Sequence, residues 1–416
     1  MDARAWFDEA GFGLFVHWGI FSARGYEPSW PLVGGIPAFP YGQDTTVEDY
    51  YRDAAAWSPA PDAPREWLRL AKDAGMQYAV LTAKHHDGFA LFASDRSDFG
   101  IGTNVPGRDL VAEFVDATRA AGLRVGLYFS LPDWHHPDYP AWTDEMRPYR
   151  LLDLPRPDPE RWASFVADQR GQLEDLLTNY GTIDLLWFDG GWERSAREWG
   201  AAELESLIRS RQPDILINDR LPGVGDYASP EQSLPTAAIE GRWETCLTMN
   251  HSWGPVAADH EHKSVRNLLT TLVEAVGAGG NLLLNISPDG DGRLLDWQRE
   301  RLEGIASWTG RHREAIIGVG AGLGPGHFHG PSTTRGTTTY LFCVMRPQEQ
   351  VVLRDVEGAR IESIRALGSG VVLPFELRLS ALDRILGTVS RCDVLIEVPE
   401  EAIDPMITVI EVTARA

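Results

Sequence analysis

Side chains that can move protons or hydrogen-bond a polar ligand stand at the ends of short apolar runs in this chain. The fourth run ends in Trp187 and Phe188, and Asp189 follows at once. A carboxylate in that place has a rigidly held backbone, and we expect the glycines at 190 and 191 to leave room for a ligand ring. The other runs end in, or carry near their ends, His17, His85, His86, Tyr128 and Arg220.

Asp189 needs a second carboxyl group if its chemistry is the cleavage of a glycosidic bond. Glycoside hydrolases use two carboxyl groups, which in retaining enzymes are about 5–5.5 Å apart and act as nucleophile and as acid/base. Glu231, Glu240 and Glu244 all follow the fifth apolar run, and their residue type does not rank them. Asp189 could also simply cap a helix, but its aromatic and glycine neighbours favour a reactive site.

Tryptophan is abundant, with 15 residues in a chain of 416. Aromatic rings such as Trp187 pack on the C–H faces of sugars with their flat apolar surface. Histidine, aspartate and arginine beside them supply hydrogen bonds to hydroxyl groups. The combination favours a carbohydrate ligand over other neutral ligands.

The formal net charge of −22 argues against polyanionic partners. Nucleic acid and an anionic membrane surface would both be repelled. The N-terminus has no basic start followed by an apolar run, and no run approaches the ~18 apolar residues of a membrane span. Cys246, Cys343 and Cys392 lie far apart and imply no disulfide framework. We therefore expect a cytoplasmic protein, and its oligomeric state stays open.

Apolar runs without polar alternation predict strands that are buried on both faces, as in a parallel sheet covered by helices. Such runs lie at 12–18, 78–83, 123–129, 183–188, 214–218 and 281–286, with weaker candidates between 239 and 253. Amphipathic helical patterns alternate with them at 63–75, 109–122, 162–180, 203–211, 264–277 and 297–309.

This alternation predicts an α/β fold with a (β/α)8-like TIM barrel over residues 1–316. An open, doubly wound sheet is the structural alternative. In a barrel the carboxyl ends of all strands meet at one rim, where active sites are built. The long loop 131–160, rich in proline and aromatic residues, follows the third run and suggests a binding role.

The last hundred residues have a different pattern. Residues 318–330 are glycine-rich and read as a linker. Alternating runs then predict a C-terminal antiparallel β-sandwich over residues 317–416. Its strands are expected at 337–345, 350–353, 370–373, 394–398 and 407–412.

Seven segments together resemble the α-L-fucosidases of glycoside hydrolase family 29. The resemblance covers about residues 5–315, in order and at natural spacing. KHHDGF and WFDGGW together are highly specific, whereas either alone would be moderately so. The segments are FGLFVHWG, LTAKHHDGF, GLYFSLPDWHHPDY, LLWFDGGW, LINDR, WETCLTMNHSWG and GGNLLLNISPDGDG.

The resemblance implies a role for each matching position. Asp189 matches the catalytic nucleophile, and Arg220 matches an arginine close to the catalytic pair. Phe15 resembles an aromatic residue that lines the pocket for the C6 methyl group of fucose. The predicted contacts to the rest of the sugar are His17, His85, His86, Tyr128 and Trp187.

The acid/base and one binding loop are less firmly matched. Glu231, in GDYASPE, resembles the acid/base segment and ranks first; Glu240 ranks second, and Glu244 is expected to support the pocket. Many members of the family carry an EWY motif after the first strand, where this chain has GYEPSW. Glu27 and Trp30 are expected to do the same task.

The expected function is retaining hydrolysis of terminal α-L-fucosides, without cofactor or metal. The substrate would be a fucosylated oligosaccharide or glycoconjugate. One alternative is a related specificity, such as α-L-galactosides, which differ only at C6. A metal-dependent hydrolase using His85, His86 and Asp87 is another. A sugar-binding protein with an inactive barrel is the third.

Overall fold

The computed structural model describes residues 2–36, 41, 44–140, 142–150, 154–389 and 391–415. The predicted loop 131–160 therefore includes positions outside the described residues, namely 141 and 151–153. The same holds for positions 390 and 416 of the predicted C-terminal sandwich.

Seven parallel strands form one sheet in the first three quarters of the chain. Their order in the sheet is β5-β4-β3-β2-β1-β7-β6. The register pairs Tyr128 with Trp187 and Ser130 with Asp189, so the polar ends of neighbouring strands lie at one level. The strands are β1 (Phe12–Val16), β2 (Tyr78–Lys84), β3 (Arg124–Ser130), β4 (Leu185–Asp189), β5 (Leu216–Ile217), β6 (Glu244–Leu247) and β7 (Asn281–Ile286).

The predicted parallel sheet is confirmed, and its closure into an eight-stranded barrel stays a prediction. Strand β6 lies within the weak region 239–253, and β5 is only two residues long. Between these two edge strands, Tyr227 bridges to Asn218 and Glu231 bridges to Cys246, both in parallel. The segment that carries Glu231 thus lies between β5 and β6.

Helices cover the sheet and begin where the sequence supplies capping groups. The side chain of Asp158 accepts hydrogen bonds from the first turn of the long fifth helix, and Pro159 opens it, so this helix starts earlier than predicted. Asp109 and Ser264 cap two others. The helices are α1 (Val47–Tyr51), α2 (Ala63–Asp73), α3 (Ile101–Asn104), α4 (Leu110–Ala120), α5 (Pro159–Thr178), α6 (Ala196–Trp199), α7 (Ala201–Arg211), α8 (Val265–Gly277), α9 (Asp296–His312) and α10 (Ala381–Leu386).

The C-terminal region forms two antiparallel sheets. Their strand orders are β12-β15-β10-β9-β8 and β11-β14-β13. Side chains from both sheets share one apolar cluster, among them Leu341, Leu353 and Val394. The strands are β8 (Gly320–Ala321), β9 (Ser332–Arg335), β10 (Thr338–Cys343), β11 (Gln350–Val356), β12 (Ile361–Ala366), β13 (Phe375–Arg378), β14 (Cys392–Glu397) and β15 (Thr408–Ala414).

One predicted C-terminal strand is wrong. Residues 370–373 make only a single bridge, from Val372 to Arg365. The strands on either side, β12 and β13, were not predicted. A register shift between Ile361 and Ser363 interrupts the alternation of β12, and β13 is only four residues long. The two-layer packing of a β-sandwich and the boundary at residue 316 stay predictions.

The two sheet regions share contacts through α9. The indole Nε1 of Trp308 donates a hydrogen bond of 2.9 Å to the carbonyl of Ile407. Tyr340 and Phe342 of β10 belong to the same buried cluster as the parallel sheet. Among the described helices, none combines the length and apolarity that crossing a membrane requires.

Candidate active site

A cavity of ≈ 330 Å³ opens at the carboxyl ends of the parallel strands. Most of the predicted site residues line it, whereas Glu27, His86 and Arg220 are not among its described lining residues. A larger cavity of ≈ 750 Å³ elsewhere is lined by none of them. The lining residues of the smaller cavity are Phe15, His17, Trp30, Ile36, His85, Tyr128, Tyr149, Trp187, Asp189, Trp192, Glu231 and Trp253.

The cavity floor consists of Phe15, Tyr128 and Trp187, each at most 2% exposed. The rings of Tyr128 and Trp187 stack at 5.5 Å, and Phe15 lies 5.2 Å from Trp187. Side chains two residues apart on a strand share a face. Because Trp187 and Phe15 face the cavity, Asp189 and His17, which follow them by two residues, face it as well.

Asp189 is held by groups on three different segments. Its Oδ2 accepts a hydrogen bond of 2.9 Å from the Tyr128 hydroxyl, and Nη1 of Arg220 lies 3.4 Å from its Oδ1. Nε2 of His86 is 3.6 Å from Oδ2. Burial raises the pKa of Asp189, while Arg220 and the Tyr128 hydrogen bond oppose that rise.

Glu231 contacts the same Arg220 guanidinium group as Asp189, through the other terminal nitrogen. Nη2 of Arg220 donates a hydrogen bond of 3.0 Å to Oε2 of Glu231. The Glu231 side chain is 31% exposed and that of Asp189 is 15% exposed, so Glu231 lies nearer the solvent. Burial raises the pKa of Glu231; Arg220 lowers it and the charge of Asp189 raises it further. One arginine therefore joins two carboxyl groups that open into one cavity.

The protonation of His17 is fixed by a chain of hydrogen bonds. The amide Nδ2 of Asn285 donates to the carbonyl of Trp253 at 3.0 Å, so its Oδ1 faces Nδ1 of His17 at 2.7 Å. An amide oxygen only accepts, so the proton is on Nδ1 and Nε2 keeps a lone pair. Burial lowers the pKa of His17 to about 3, which keeps the ring neutral.

His85 has the opposite proton arrangement. Its Nδ1 lies 2.6 Å from Oγ of Ser29, which is fully buried and already accepts from the backbone N–H of Asp87 at 2.8 Å. A buried hydroxyl hydrogen needs an acceptor, and of the two described partners of Ser29 Oγ only Nδ1 of His85 can accept. We therefore assign the Ser29 hydroxyl as the donor and place the His85 proton on Nε2. His17 and His85 thus offer one acceptor and one donor to a ligand's hydroxyl groups.

His86 lies behind the cavity wall and supports Asp189. Its Nδ1 is hydrogen-bonded to Oγ of Ser130, the residue that pairs with Asp189 in the sheet. Burial, followed by the charge of Lys84, lowers the pKa of His86 to about 3. A neutral His86 with Nε2–H toward the carboxylate orients Asp189 without adding a full charge.

The predicted metal group at His85, His86 and Asp87 is not the one that the structure assembles. Ligand atoms of His85, His86 and Asp189 lie within 4.8 Å of one another. Asp87 instead accepts hydrogen bonds from the Tyr50 hydroxyl and a backbone N–H. Two imidazoles and a carboxylate are a suitable donor set for a transition metal, but the Arg220 cation beside Asp189 opposes binding there.

Glu27 lies beneath a cavity wall. It is fully buried, and its carboxyl oxygens accept the backbone N–H of Trp253 at 3.0 and 3.2 Å. Burial raises the pKa of Glu27 to about 8. Glu27 therefore positions the loop of Trp253, whose ring lines the cavity, while Trp30 from the same GYEPSW segment lines it directly. A contact of Glu27 with substrate stays a prediction.

The structure separates the three candidate glutamates by position. Only Glu231 is a described lining residue of the cavity. Glu240 is exposed. Glu244 is fully buried, accepts a hydrogen bond of 3.0 Å from Nε1 of Trp187, and has its pKa raised to about 7 by burial. Glu244 thus supports the cavity floor from below.

The glycines after Asp189 serve packing within the protein. Gly190 has a φ of 76°, and a Cβ there would lie 2.2 Å from Cδ of Pro132. A Cβ on Gly191 would lie 2.1 Å from the carbonyl oxygen of Arg220. The space that we expected them to leave for a ligand ring is filled by the protein's own backbone and proline.

Four lining residues were not among the predicted contacts: Ile36, Tyr149, Trp192 and Trp253. Tyr149 lies in the long loop 131–160, for which the sequence predicted a binding role without indicating which residue would contact the ligand. Trp192 and Trp253 belong to the segments LLWFDGGW and WETCLTMNHSWG, so their aromatic character was the available signal. Ile36 carries no such signal.

A family model and the curated relatives of this chain both point to the same protein family. The family described as Alpha-L-fucosidase matches residues 1–314. The chain is 34% identical over 346 residues to the tissue alpha-L-fucosidase of Homo sapiens, covering 76% of this chain and 70% of that protein.

Two solved structures superimpose on nearly the whole of this chain. Alpha-L-fucosidase isoenzyme 1 from Paenibacillus thiaminolyticus superimposes with a TM-score of 0.86 at 35% identity and covers 100% of both chains. The Thermotoga maritima alpha-fucosidase in complex with a mechanism-based inhibitor gives a TM-score of 0.77 at 28% identity, covering 98% of this chain and 96% of that chain. The protein is a glycoside hydrolase and belongs to the α-L-fucosidase family, glycoside hydrolase family 29.

Proposed function

We propose that the protein is an α-L-fucosidase that releases terminal L-fucose from oligosaccharides or glycoconjugates with net retention of configuration. The observation that carries this proposal is the Arg220 guanidinium between Asp189 and Glu231 at a single cavity. Two carboxyl groups flanking one sugar are the requirement of this chemistry. That this sugar is L-fucose is inferred from the names of the relatives, which are alpha-L-fucosidases.

In the first step, protonated Glu231 donates its proton to the glycosidic oxygen. The bond between that oxygen and the anomeric carbon breaks while ionised Asp189 forms a bond to the same carbon. In the second step, water gives a proton to Glu231 and attacks the anomeric carbon, which releases Asp189 and L-fucose. Arg220 favours ionisation of Asp189, and the greater exposure of Glu231 gives water access to it.

The cavity walls suit a deoxy sugar. Phe15 and Trp187 present apolar surface at the floor, where a C6 methyl group would pack and a hydroxyl group would lose its hydrogen bonds. The lone pair of His17 and the N–H of His85 would bind ring hydroxyl groups. We also propose that the sheet closes as a (β/α)8-like barrel followed by a β-sandwich, supported by the bridges at Tyr227 and Glu231.

Azide rescue tests the two carboxyl groups separately. With an aryl α-L-fucoside, azide should restore activity to Asp189→Gly and give the β-L-fucosyl azide, because azide then attacks from the side of the missing carboxylate. With Glu231→Gly, azide should attack the fucosyl-enzyme and give the α-L-fucosyl azide. Normal hydrolysis by both variants, or the same anomer from both, would contradict the mechanism.

Two alternatives are tested with the same enzyme. Hydrolysis of an aryl α-L-galactoside as fast as the fucoside would mean that the floor does not select the methyl group. Loss of activity after chelation, restored by zinc, would instead favour a metal-dependent hydrolase using His85, His86 and Asp189.

A further inference from the structure

The cavity changes character between its floor and its opening. The cavity mouth consists of Glu231, Tyr149 and Trp192, and the Trp192 side chain is 39% exposed. The floor rings, in contrast, are at most 2% exposed. The Trp192 ring contacts Arg220, whose Cζ is 5.9 Å from the ring centroid, and His86 edge-on at 6.4 Å, and the rest of this large aromatic ring is exposed beside the more exposed carboxyl group.

The polar atoms of the two aromatic side chains at the mouth are hydrogen-bonded within the protein. Nε1 of Trp192 donates a hydrogen bond of 2.9 Å to the hydroxyl of Tyr149, which donates one of 3.1 Å to Oε1 of Glu193. Glu193 is 4% exposed and also accepts from Nε1 of Trp134 and the hydroxyl of Tyr139. The two rings are fixed through a buried carboxylate, and Tyr149 is held further by ring contacts with Trp30 and Trp142 at 5.3 and 5.1 Å. The exposed part of the Trp192 ring is the apolar surface that remains for a ligand.

We propose that Trp192 and Tyr149 form a stacking platform for the sugar that carries the fucose, the leaving group of the reaction. This inference rests on the proposed function. The acid Glu231 must reach the glycosidic oxygen, so the leaving group extends from Glu231 into the mouth. The platform offers ring faces rather than hydrogen-bonding groups, so it recognises the C–H face of a pyranose and tolerates different hydroxyl patterns.

The test compares two substrates whose leaving groups differ in whether they contain a ring. α-L-Fucosyl fluoride releases only fluoride, whereas an α-L-fucosyl-N-acetylglucosamine disaccharide releases a pyranose. Trp192→Ala should lower kcat/KM for the disaccharide by about tenfold more than for the fluoride, as expected for one lost aromatic contact. Trp192→Phe should recover most of this difference. Tyr149→Phe should give a smaller change, because it removes the hydrogen bond that holds the Trp192 ring.

Trp297→Ala is the control, since it removes a tryptophan ring that stacks on His262 outside the cavity. It should leave the ratio of the two substrates at the wild-type value. Equal losses on both substrates by Trp192→Ala, or no loss on the disaccharide, would overturn the platform. A wild-type enzyme that hydrolyses neither fucoside would overturn the proposed function itself, and the platform with it.

Discussion

The floor and the mouth of one cavity are built by different parts of the chain. Phe15, Tyr128 and Trp187 of the floor stand on buried strands. Tyr149 and Trp192 of the mouth stand on connecting segments and are fixed through buried Glu193. Strand positions are held by the sheet's backbone hydrogen bonds, whereas the mouth depends on side-chain hydrogen bonds.

This difference suits the floor and the mouth to recognising different parts of the substrate, the terminal sugar and the leaving group. Under the proposed function, the buried apolar floor would disfavour an extra hydroxyl group at C6 and so favour one monosaccharide. An exposed aromatic mouth contributes affinity without reading hydroxyl patterns. The reactive pair lies between them, with Asp189 toward the floor and Glu231 toward the mouth.

The largest expected effect is at the floor side of the reactive pair. Asp189→Ala should lower kcat on an aryl α-L-fucoside by about 10³-fold or more, because the attacking group is removed. Steady-state kinetics measure the change. Asp214→Ala, on an exposed aspartate, is the control and should behave as wild type. Comparable kinetics for the two variants would remove Asp189 from the mechanism.

Glu231 should show the complementary dependence on the leaving group. Glu231→Gln should lower kcat/KM by about 10²–10⁴-fold on a sugar leaving group and much less on fucosyl fluoride, which needs no proton. Glu240→Gln, its exposed counterpart, should leave both substrates unaffected. If Glu240→Gln showed the larger loss, the second-ranked glutamate would be the acid.

The pH profile of kcat/KM should be bell-shaped. Burial raises the pKa of both carboxyl groups. Asp189 must be ionised, so activity falls as pH drops through its raised pKa; Glu231 must be protonated, so activity falls as pH rises through its own. The two limbs report the coupled pair. On fucosyl fluoride, which needs no proton, the wild-type enzyme should lose the alkaline limb that it shows on a sugar leaving group, and retention of that limb would assign it to another group.

Phe15 tests whether the floor selects the sugar. Phe15→Ala should lower the preference for aryl α-L-fucoside over aryl α-L-galactoside by roughly tenfold, because a methyl-sized contact contributes about 1–3 kcal/mol. Competition between the two substrates measures the ratio. Phe15→Leu should keep most of the preference. An unchanged ratio in Phe15→Ala would mean that C6 is recognised elsewhere.

The remaining expected effect is on stability rather than on activity and comes from Glu27, which holds the loop of Trp253 at the cavity wall. Its pKa rises from 4.5 to about 8 on folding, so the wild-type free energy of unfolding should decrease as pH rises through this range. Glu27→Gln should remove that part of the slope. Melting temperatures against pH measure it, with Glu240→Gln as control. Parallel curves for wild type and Glu27→Gln would show that Glu27 does not titrate as buried.

Local sequence patterns predicted most of the elements and singled out Asp189, one member of the proposed catalytic pair. Apolar runs and helical spacing predicted β7 at its observed bounds and β1 to β5 within two residues, because periodicity is a local property of the chain, whereas β6 was only a weak candidate within 239–253. Asp189 was identifiable because it directly follows a buried strand within a specific segment. Strand β12 was not predicted because a register shift between Ile361 and Ser363 interrupts its alternation.

Contacts between distant segments decided the rest. Residue type alone does not distinguish Glu231, Glu240 and Glu244, and the family resemblance gave only a ranking. The path of the chain between β5 and β6 places Glu231 at the cavity, Glu244 beneath its floor and Glu240 in solvent. Glu27 likewise meets Trp253 across 226 positions. Sequence fixes which groups are available through local patterns, but burial and pairing depend on which segments the tertiary fold brings together.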